Sequence, residues 1–574
     1  MSQSFQLFQG KKLNQRPFTW GDIFAIFIVI LLLYFGTQLA FFAPLTIQGP
    51  EISLSPSILP WYTALSVIRM SLAYILSILF TLFYGRAAAY HRRAEQLLMP
   101  LLDVLQSVPI LSFLPVVLLS FNAIFPERIA AELASIVLIF TSQAWNLTFC
   151  WYQSLKIIPK ELVEASSIFR LNSWMKFKSL ELPSGMISLV WNSMMSWAGG
   201  WFFLMAAEIF TVGSRDFRLP GLGAYLHEAA NQNNLGAIGW GLITLIFTVI
   251  ILDQLVWRPL IAWSDRFKLE MVENDNPPKS WFLSVISRSL IIKLFSEKIL
   301  QPLTEYIDHT IQLRFPVKEQ LESNTKNRNI YFLLFGIILL GGLLYYLYHA
   351  SVMLYMLPSK QWLQVSTGLV ATLIRVSLAL LLAFIWTIPL GVAIGTNPRL
   401  ATILQPIVQV TASVPATSLF PVILLFVINI PNGLNLAAVL LMLMGTQWYL
   451  LFNIIAGAST IPQDIKYTTQ LMQLSRWQRW RTLFLPAIFP YLITGAITAS
   501  GGAWNASIVA EYQFFGGKEL SVTGIGSLIA QATATGDYPL LLAATLAMIL
   551  AVVFINKYLW QRLYKLAEEK YRME

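Results

Sequence analysis

Most of this 574-residue chain is written twice, in a register that barely drifts. Pro109 and Pro115 in LDVLQSVPILSFLPVVLL recur 306 positions later as Pro415 and Pro421 in VQVTASVPATSLFPVILL, and Arg69 with Ser71 recurs as Arg375 with Ser377. After a contraction of three residues the offset holds at 303. It pairs Trp145 with Trp448, Pro159 with Pro462, Pro183 with Pro486, Glu208 with Glu511, Gly221 and Gly223 with Gly524 and Gly526, and Trp257 with Trp560. Unrelated apolar helices do not hold a common register over such a length. The period also far exceeds the roughly 20 to 50 residues of solenoid units, so each copy is a whole domain.

Hydropathy puts both domains in lipid. The chain is 56% hydrophobic and 12% charged, with a mean hydropathy of +0.63, a balance outside that of soluble globular proteins. Segments such as 23–42, 62–84, 237–256 and 331–348 are long enough, or nearly so, to cross a hydrocarbon core as helices. The first is expected to stay as a membrane anchor, since it is too long for a signal peptide and no small-residue cleavage site follows it. The fold class expected is therefore an all-α polytopic membrane protein of about 12 transmembrane helices, as two tandem six-helix domains. Spans are predicted at 21–42, 62–84, 98–120, 130–150, 185–210 and 237–257, and again at 330–349, 364–390, 402–428, 434–454, 488–513 and 538–557. The domains are read as 1–263 and 330–574, joined by a polar linker at 264–329. Cys150 is the one cysteine and only four histidines are present, so no disulfide, thiolate cage or other metal centre is expected.

Basic residues orient the spans. They gather in alternate loops, at Arg86 to Arg93, at Lys156 to Lys178, at Arg258 to Lys268 and at Arg476 to Arg481. The positive-inside rule then makes these loops and both termini cytoplasmic. Two six-helix units of the same orientation are related by an axis along the membrane normal, which leaves a pathway between the halves. The net charge of +10 is mostly carried by these loops and suits anionic lipid headgroups; no interleaving with aromatics points to nucleic acid. Trp20, Trp61, Trp257 and Trp560 fit interface belts. In the linker, MVENDNPPK reads as a turn and SWFLSVISRSLIIKLF either as an amphipathic helix on the inner leaflet or as plain connection.

The most specific signal lies between the fourth and fifth spans of each copy. PKELVEASSIFRLNSWMKFKSLELP at 159–183 and PQDIKYTTQLMQLSRWQRWRTLFLP at 462–486 have equal length and the same Leu-Pro exit. Ala165, Ile168, Phe169 and Leu171 to Trp174 put apolar groups on one side of a short helix. Glu161 and Glu164 near its start and Lys176 and Lys178 towards its end suit a helix dipole. Such a helix either rests on lipid headgroups or meets a protein partner, and identical spacing in two copies favours a partner of fixed geometry met twice.

This segment resembles the EAA loop of ABC importer permeases, where the membrane subunit docks on an ATPase. Glu164, Ala165 and Ser166 stand at its Glu-Ala-Ala, followed by Leu171, Trp174 and Pro183; Leu474, Trp477 and Pro486 match in the second copy. The family's glycine is Arg170 here and Gln473 in the second copy, where Tyr467, Thr468 and Thr469 replace Glu-Ala-Ala. The Pro-rich third span, the run WAGGWFFLMAAE with its partner SGGAWNASIVAEY, and the GLG and GIG triplets are similar to the nitrate, taurine and aliphatic-sulfonate group. The resemblance implies two cytoplasmic ABC ATPases, an extracytoplasmic substrate-binding protein, residence in a bacterial inner membrane and a small anion as substrate. No G-x-x-x-x-G-K-[ST] is present, so ATP and Mg are expected on a partner, with no catalytic residue or cofactor in this chain.

Within the spans, Pro109, Pro115, Pro415 and Pro421 are expected pathway or hinge positions, or static kinks, since proline removes a backbone hydrogen bond and crowds the preceding turn. Gly199, Gly200, Gly501 and Gly502 permit close helix contact. Arg69, Glu208, Arg375 and Glu511 are ionisable groups inside spans, which is costly. We expect Arg69 to pair with Glu208 and Arg375 with Glu511 as interhelical ties, the alternative being arginines that attract an anion. A secondary transporter with a six-plus-six parallel repeat is the rival reading, and a membrane-embedded enzyme a weaker one. Neither accounts for the repeated coupling loop.

Overall fold

The computed structural model describes residues 20–40, 49–212, 215–267, 280–289, 301–314, 347–412, 414–427, 430–459, 471–515 and 518–570, with a few single residues or pairs between them. Most of the expected span 330–349 lies outside the described residues, as do Pro462 and Tyr467. In the first copy the helices are α1 (Trp20–Ala40), α2 (Leu59–Tyr90), α3 (Arg92–Ser107), α4 (Leu114–Ile124), α5 (Glu127–Ile157), α6 (Lys160–Ile168), α7 (Ser173–Lys176), α8 (Leu182–Glu208), α9 (Leu222–Asn231), α10 (Leu235–Leu252) and α11 (Arg258–Ser264). The linker contributes α12 (Trp281–Arg288) and α13 (Gln301–Arg314). The second copy runs through α14 (Ser359–Thr396), α15 (Pro398–Ala412), α16 (Ala416–Val427), α17 (Gly433–Ser459), α18 (Arg476–Arg479), α19 (Leu485–Glu511), α20 (Ile525–Thr535), α21 (Tyr538–Ile555) and α22 (Gln561–Lys570). Among the described residues seven helices are long and apolar enough to cross a membrane, with shorter apolar helices at Phe27–Leu39 and Leu114–Ile124.

The repeat survives down to local backbone detail. Asn234 caps α10 by accepting from the Ala237 N–H at 3.0 Å, and its counterpart Asp537 caps α21 by accepting from Leu540 at 3.1 Å, each satisfying a donor that the helix itself leaves open. Single π turns at Phe177–Glu181 and Trp480–Phe484 run in right-handed helical backbone straight into the fifth helices, and each accommodates the proline that follows, Pro183 or Pro486, whose ring and missing N–H would break a regular α-helical ladder. After each fifth helix comes a small antiparallel hairpin, β1 (Thr211–Val212) with β2 (Arg215–Asp216) and β3 (Tyr512–Phe515) with β4 (Lys518–Ser521). A short helix then precedes the sixth span. Hydropathy had not marked either element.

The third span of each copy is two helices, which corrects the continuous spans expected at 98–120 and 402–428. Pro109 forces Val108 into extended backbone (φ −73°, ψ 124°), because its ring crowds a preceding residue in helical conformation. The chain then makes one tight turn at Ile110–Ser112 and restarts as α4, with Pro115 in its first turn. In the second copy α15 stops at Ala412 and α16 starts directly after Pro415, with Pro421 inside it. Ser112 and Ser418 close the two turns alike, each donating its hydroxyl to the proline carbonyl, at 2.6 and 2.7 Å.

A broken helix in lipid exposes backbone donors that water cannot satisfy. Here the other half supplies a partner. The side-chain carbonyl of Asn505 on α19 accepts from the Ile110 N–H and, at 3.4 Å, from the Leu111 N–H. Reciprocally, Thr417 of α16 donates to the Phe202 carbonyl of α8 at 3.4 Å. Each fifth helix therefore leans on the opposite copy's break. The largest buried apolar cluster draws on both copies, including Trp201, Tyr225, Trp504 and Leu541.

Replacing Asn505 by Leu keeps the volume but strands two buried backbone donors, and should destabilise the chain by about 1 to 3 kcal/mol. Thermal unfolding in mild detergent will read this as a lowered midpoint. Thr417→Val, which removes one long hydrogen bond, should move it far less.

Candidate functional site

Three constellations are built on this frame. The first is a carboxylate at the end of each fifth helix away from the 159–183 and 462–486 segments. Glu208 is fully buried, and its Oε1 accepts from Arg69 Nη1 at 2.9 Å and from Ser66 Oγ at 2.6 Å, while Oε2 accepts from the Gly223 N–H at 2.7 Å. Glu511 repeats this with Arg375 Nη1 at 2.7 Å, Thr372 Oγ1 at 2.7 Å and the Gly526 N–H at 2.9 Å. Arg69 and Arg375 then donate to the Pro220 and Thr523 carbonyls at 2.9 and 2.7 Å, so the pair fastens the loop before α9 and α20 as well.

The glycine triplets follow from this packing. Gly221 has an ordinary extended backbone (φ 179°), so its requirement is space: a Cβ there would stand 2.2 Å from Glu208 Oε1, and one at Gly524 2.1 Å from Glu511 Oε2. Sequence reasoning missed a third member. Glu132 receives two short hydrogen bonds from Arg69, both 2.6 Å, whereas its counterpart Asn435 accepts twice from Arg375.

The second constellation is the pair of segments between fourth and fifth helices. The single short helix expected is in fact a helix, a reversal and a second short helix. Lys160–Ile168 ends at Phe169, Arg170 adopts φ +48°, and the Leu171 N–H reaches back to the Ser166 carbonyl at 3.1 Å. Gln473 takes φ +49° with Leu474 N–H on Thr469 O at 3.3 Å. Both are left-handed helix closures of the kind glycine favours, occupied by side-chain-bearing residues. Ser166 is buried and Ala165, Leu171, Trp174 and Pro183 are half-buried, whereas Glu164 and Arg170 are exposed, as are Ile168 and Phe169 on the expected apolar side. In the second copy Gln473, Leu471, Met472 and Trp477 are exposed, and Leu474 and Pro486 half-buried.

The two segments are anchored differently. Arg86 on α2 pairs with the buried Glu181 at 2.7 Å and donates to Ser173 at 3.0 Å. The positions equivalent to these two residues are Val392 and Phe484, both apolar. The linker also takes sides. Asp308 of α13 accepts from the Trp174 indole N–H at 2.7 Å and forms an ion pair with Lys178. The Lys178 ammonium and that indole N–H hold its carboxyl below the usual carboxylate range.

The third constellation is the face shared by the halves. On α8, residues 191, 195, 198 and 202 lie on one side; on α19, residues 494, 498, 501 and 505 do, because these steps nearly complete whole turns. The rest of each helix packs within its own copy, as in Asn146 donating to Ser196 at 3.1 Å and Trp197 against Tyr74 and Trp257. At Phe202 and Asn505 the faces meet the opposite half. Tyr449 of α17 bridges them one turn nearer the coupling segments, its ring 3.5 Å from where a Cβ on Gly502 would stand and its hydroxyl 3.3 Å from one on Gly199. Beyond Tyr449 the faces open: Trp191, Met195, Ala198, Thr494 and Thr498 are exposed, and Gly501 borders empty space. The halves are thus closed at the Glu208 and Glu511 end and parted towards the coupling segments. Of the four prolines, Pro109 and Pro415 sit at the closed end of this interface.

A family model described as binding-protein-dependent transport system inner membrane component matches residues 77–256 and again 387–570. Similar proteins include a nitrate import permease protein of Leptolyngbya laminosa, 31% identical over 32% of this chain and 61% of its own length. A bicarbonate transport system permease protein of Synechococcus elongatus is 30% identical over 28% of this chain and 54% of its own length. A taurine transport system permease protein of Escherichia coli is 30% identical over 25% and 50%. The chain thus spans about half to three fifths of the curated relatives it matches.

Glu511→Gln leaves Arg375 with only neutral partners in a dry place, since Asn435 stands where Arg69 has Glu132, a loss of about 3 to 5 kcal/mol, and Gly524→Ala should do comparable damage by displacing the carboxylate. Folded yield after detergent extraction checks both; normal yield of either would contradict a structural lock. Conversely, Arg170→Gly relieves a left-handed strain of about 1 to 2 kcal/mol against a smaller entropic cost, and amide hydrogen exchange in 165–171 should slow.

Proposed function

Because the chain belongs to the binding-protein-dependent transport system inner-membrane components, we propose that it is the permease subunit of an ATP-driven ABC importer with both halves fused. Its domains 1–263 and 330–574 form the substrate pathway between them. The segments at 159–183 and 462–486 dock on two cytoplasmic ATPases, which bind ATP and Mg, and an extracytoplasmic binding protein delivers the substrate. The chain sits in the cell inner membrane with both termini inside. Nitrate, bicarbonate and taurine are the substrates in the names of its relatives, and a small anion is the substrate class that resemblance favours.

The observation that carries this reading is the pair of left-handed turns at Arg170 and Gln473. Two segments of equal length make the same reversal at the same end of the molecule, although Tyr467 replaces Glu164 in the second, as two docking elements for two similar partners would. Closure of the ATPases would draw the segments together, and rigid-body motion of the halves would part the contacts at Asn505 and Phe202 while closing the opening at Thr494 and Trp191. This chain's residues supply the path and the lever.

Affinity purification from native membrane in mild detergent, followed by mass spectrometry, tests the proposal. We expect an ABC ATPase at two copies per chain, with hydrolysis stimulated by a binding protein. Recovery of the chain alone, with transport driven by an ion gradient and indifferent to ATP, would replace the importer with a secondary transporter.

A further inference from the structure

One aromatic ring stands between the halves without a mate. Gly199 on α8 and Gly502 on α19 are equivalent positions of the repeat, and the ring of Tyr449 on α17 lies between them, its hydroxyl 3.3 Å from where a Cβ on Gly199 would stand and its Cε2 3.5 Å from one on Gly502. A group that touches two equivalent positions sits near the axis that relates them. Such a place has room for one side chain and none for its symmetry mate.

The repeat differs at the residues this conflict concerns. Tyr449 corresponds to Asn146, and the fifth-helix residues beside each differ with it, Asn192 and Ser196 in the first copy against Gly495 and Ala499 in the second. Asn146 on α5 donates to Asn192 Oδ1 at 3.2 Å and to Ser196 Oγ at 3.1 Å, which turns it back into its own copy. Tyr449 has no such polar pair beside it, and its hydroxyl makes no hydrogen bond among the described residues. One turn earlier Gly445 brings α17 near α8 again, with Phe202 Cε2 4.0 Å from where its Cβ would stand, whereas Gly501 on the other side borders empty space. The lean of the second copy's fourth helix onto the first copy's fifth is thus one-sided.

We propose that Tyr449 is the gate of the pathway, a plug contributed by the second copy alone. This rests on the importer reading, which makes the space between the halves the route. The ring divides the open space beside Trp191, Thr494 and Thr498 from the closed end at Phe202 and Asn505. Its side chain is held by packing and no polar bond, so it leaves the glycine slot without stranding a donor or an acceptor. Because α17 runs on into the 462–486 segment, movement of that segment withdraws the ring, and the first copy need only present Gly199.

Cysteine accessibility tests this. Thr417→Cys is nearly isosteric and lies buried on the closed side of the ring, where the threonine hydroxyl meets the Phe202 carbonyl. It is placed in the full chain with Cys150→Ala, in nucleotide-free nanodiscs, and treated with a membrane-impermeant methanethiosulfonate; Gly501→Cys, on the open side, is the reference. Gly501→Cys should react and Thr417→Cys should not. Adding Tyr449→Ala should speed modification at 417 at least about tenfold, since the reaction then no longer waits on a local opening of the interface. Tyr449→Phe should keep the protection, as should Asn146→Ala. Tyr449→Asn, the residue of the equivalent position, substitutes for Tyr449→Ala if that variant is not recovered. Reaction at 417 with Tyr449 in place, continued protection after its truncation, or equal exposure by Asn146→Ala each overturns a one-sided gate. ATPase recovery is scored on the same preparation. A failed gate with the ATPase present sinks this inference alone, and a gate opened by Tyr449→Ala in a chain that brings no ATPase sinks the importer reading alone.

Discussion

A carboxylate cut off from water must be surrounded by donors, and much of each half is arranged to do this at one point. Glu208 gathers an arginine and a hydroxyl from α2, some 140 positions away, and a backbone N–H from α9, so three elements are fixed by one side chain. Glu511 does the same. Breaking such a pair is costly even where its formation yields little net stability, so the arrangement specifies geometry more than it adds strength. The glycine triplets, the hairpins and the short helices before the sixth spans are positioned by that cluster. It holds the closed end rigid while the opposite end carries the coupling segments.

The halves share this lock but differ elsewhere. Arg69 has a second carboxylate, Glu132, where Arg375 has only the amide of Asn435. The first coupling segment is tied by Arg86 and Glu181 and capped by Asp308 of the linker, whereas Trp477 in the second stands 73% exposed. Equivalent backbones therefore offer unequal surfaces to whatever docks there.

Hydropathy and the repeat made most of the helical frame legible, because spans long enough for lipid leave a plain signal and a duplicated charge inside a span draws attention. Arg69 with Glu208 and Arg375 with Glu511 could be paired on paper for that reason. The same reliance on duplication hid Glu132, Glu181 and Asp308, whose counterparts are Asn435, Phe484 and nothing comparable. The break after Ser107 was missed although Pro109 and Pro115 were in view. Apolar residues continue straight through it, and hydropathy cannot tell a bent path from a straight one when its loose donors are satisfied by a residue some 395 positions away. The hairpins at 211–216 and 512–521 are too short to carry a period of their own. The left-handed turns at Arg170 and Gln473 were concealed by the absence of glycine.

The contact between Asp308 and Trp174 has a bearing on how such a chain diverges. When two identical subunits assemble, every substitution appears on both sides of the axis and must be tolerable in both. Here the strap that reaches Trp174 begins and ends within one polypeptide, so it has a single address and never competes for the other side. Covalent joining turns a symmetric assembly into one with a left and a right, and each hand is then free to specialise.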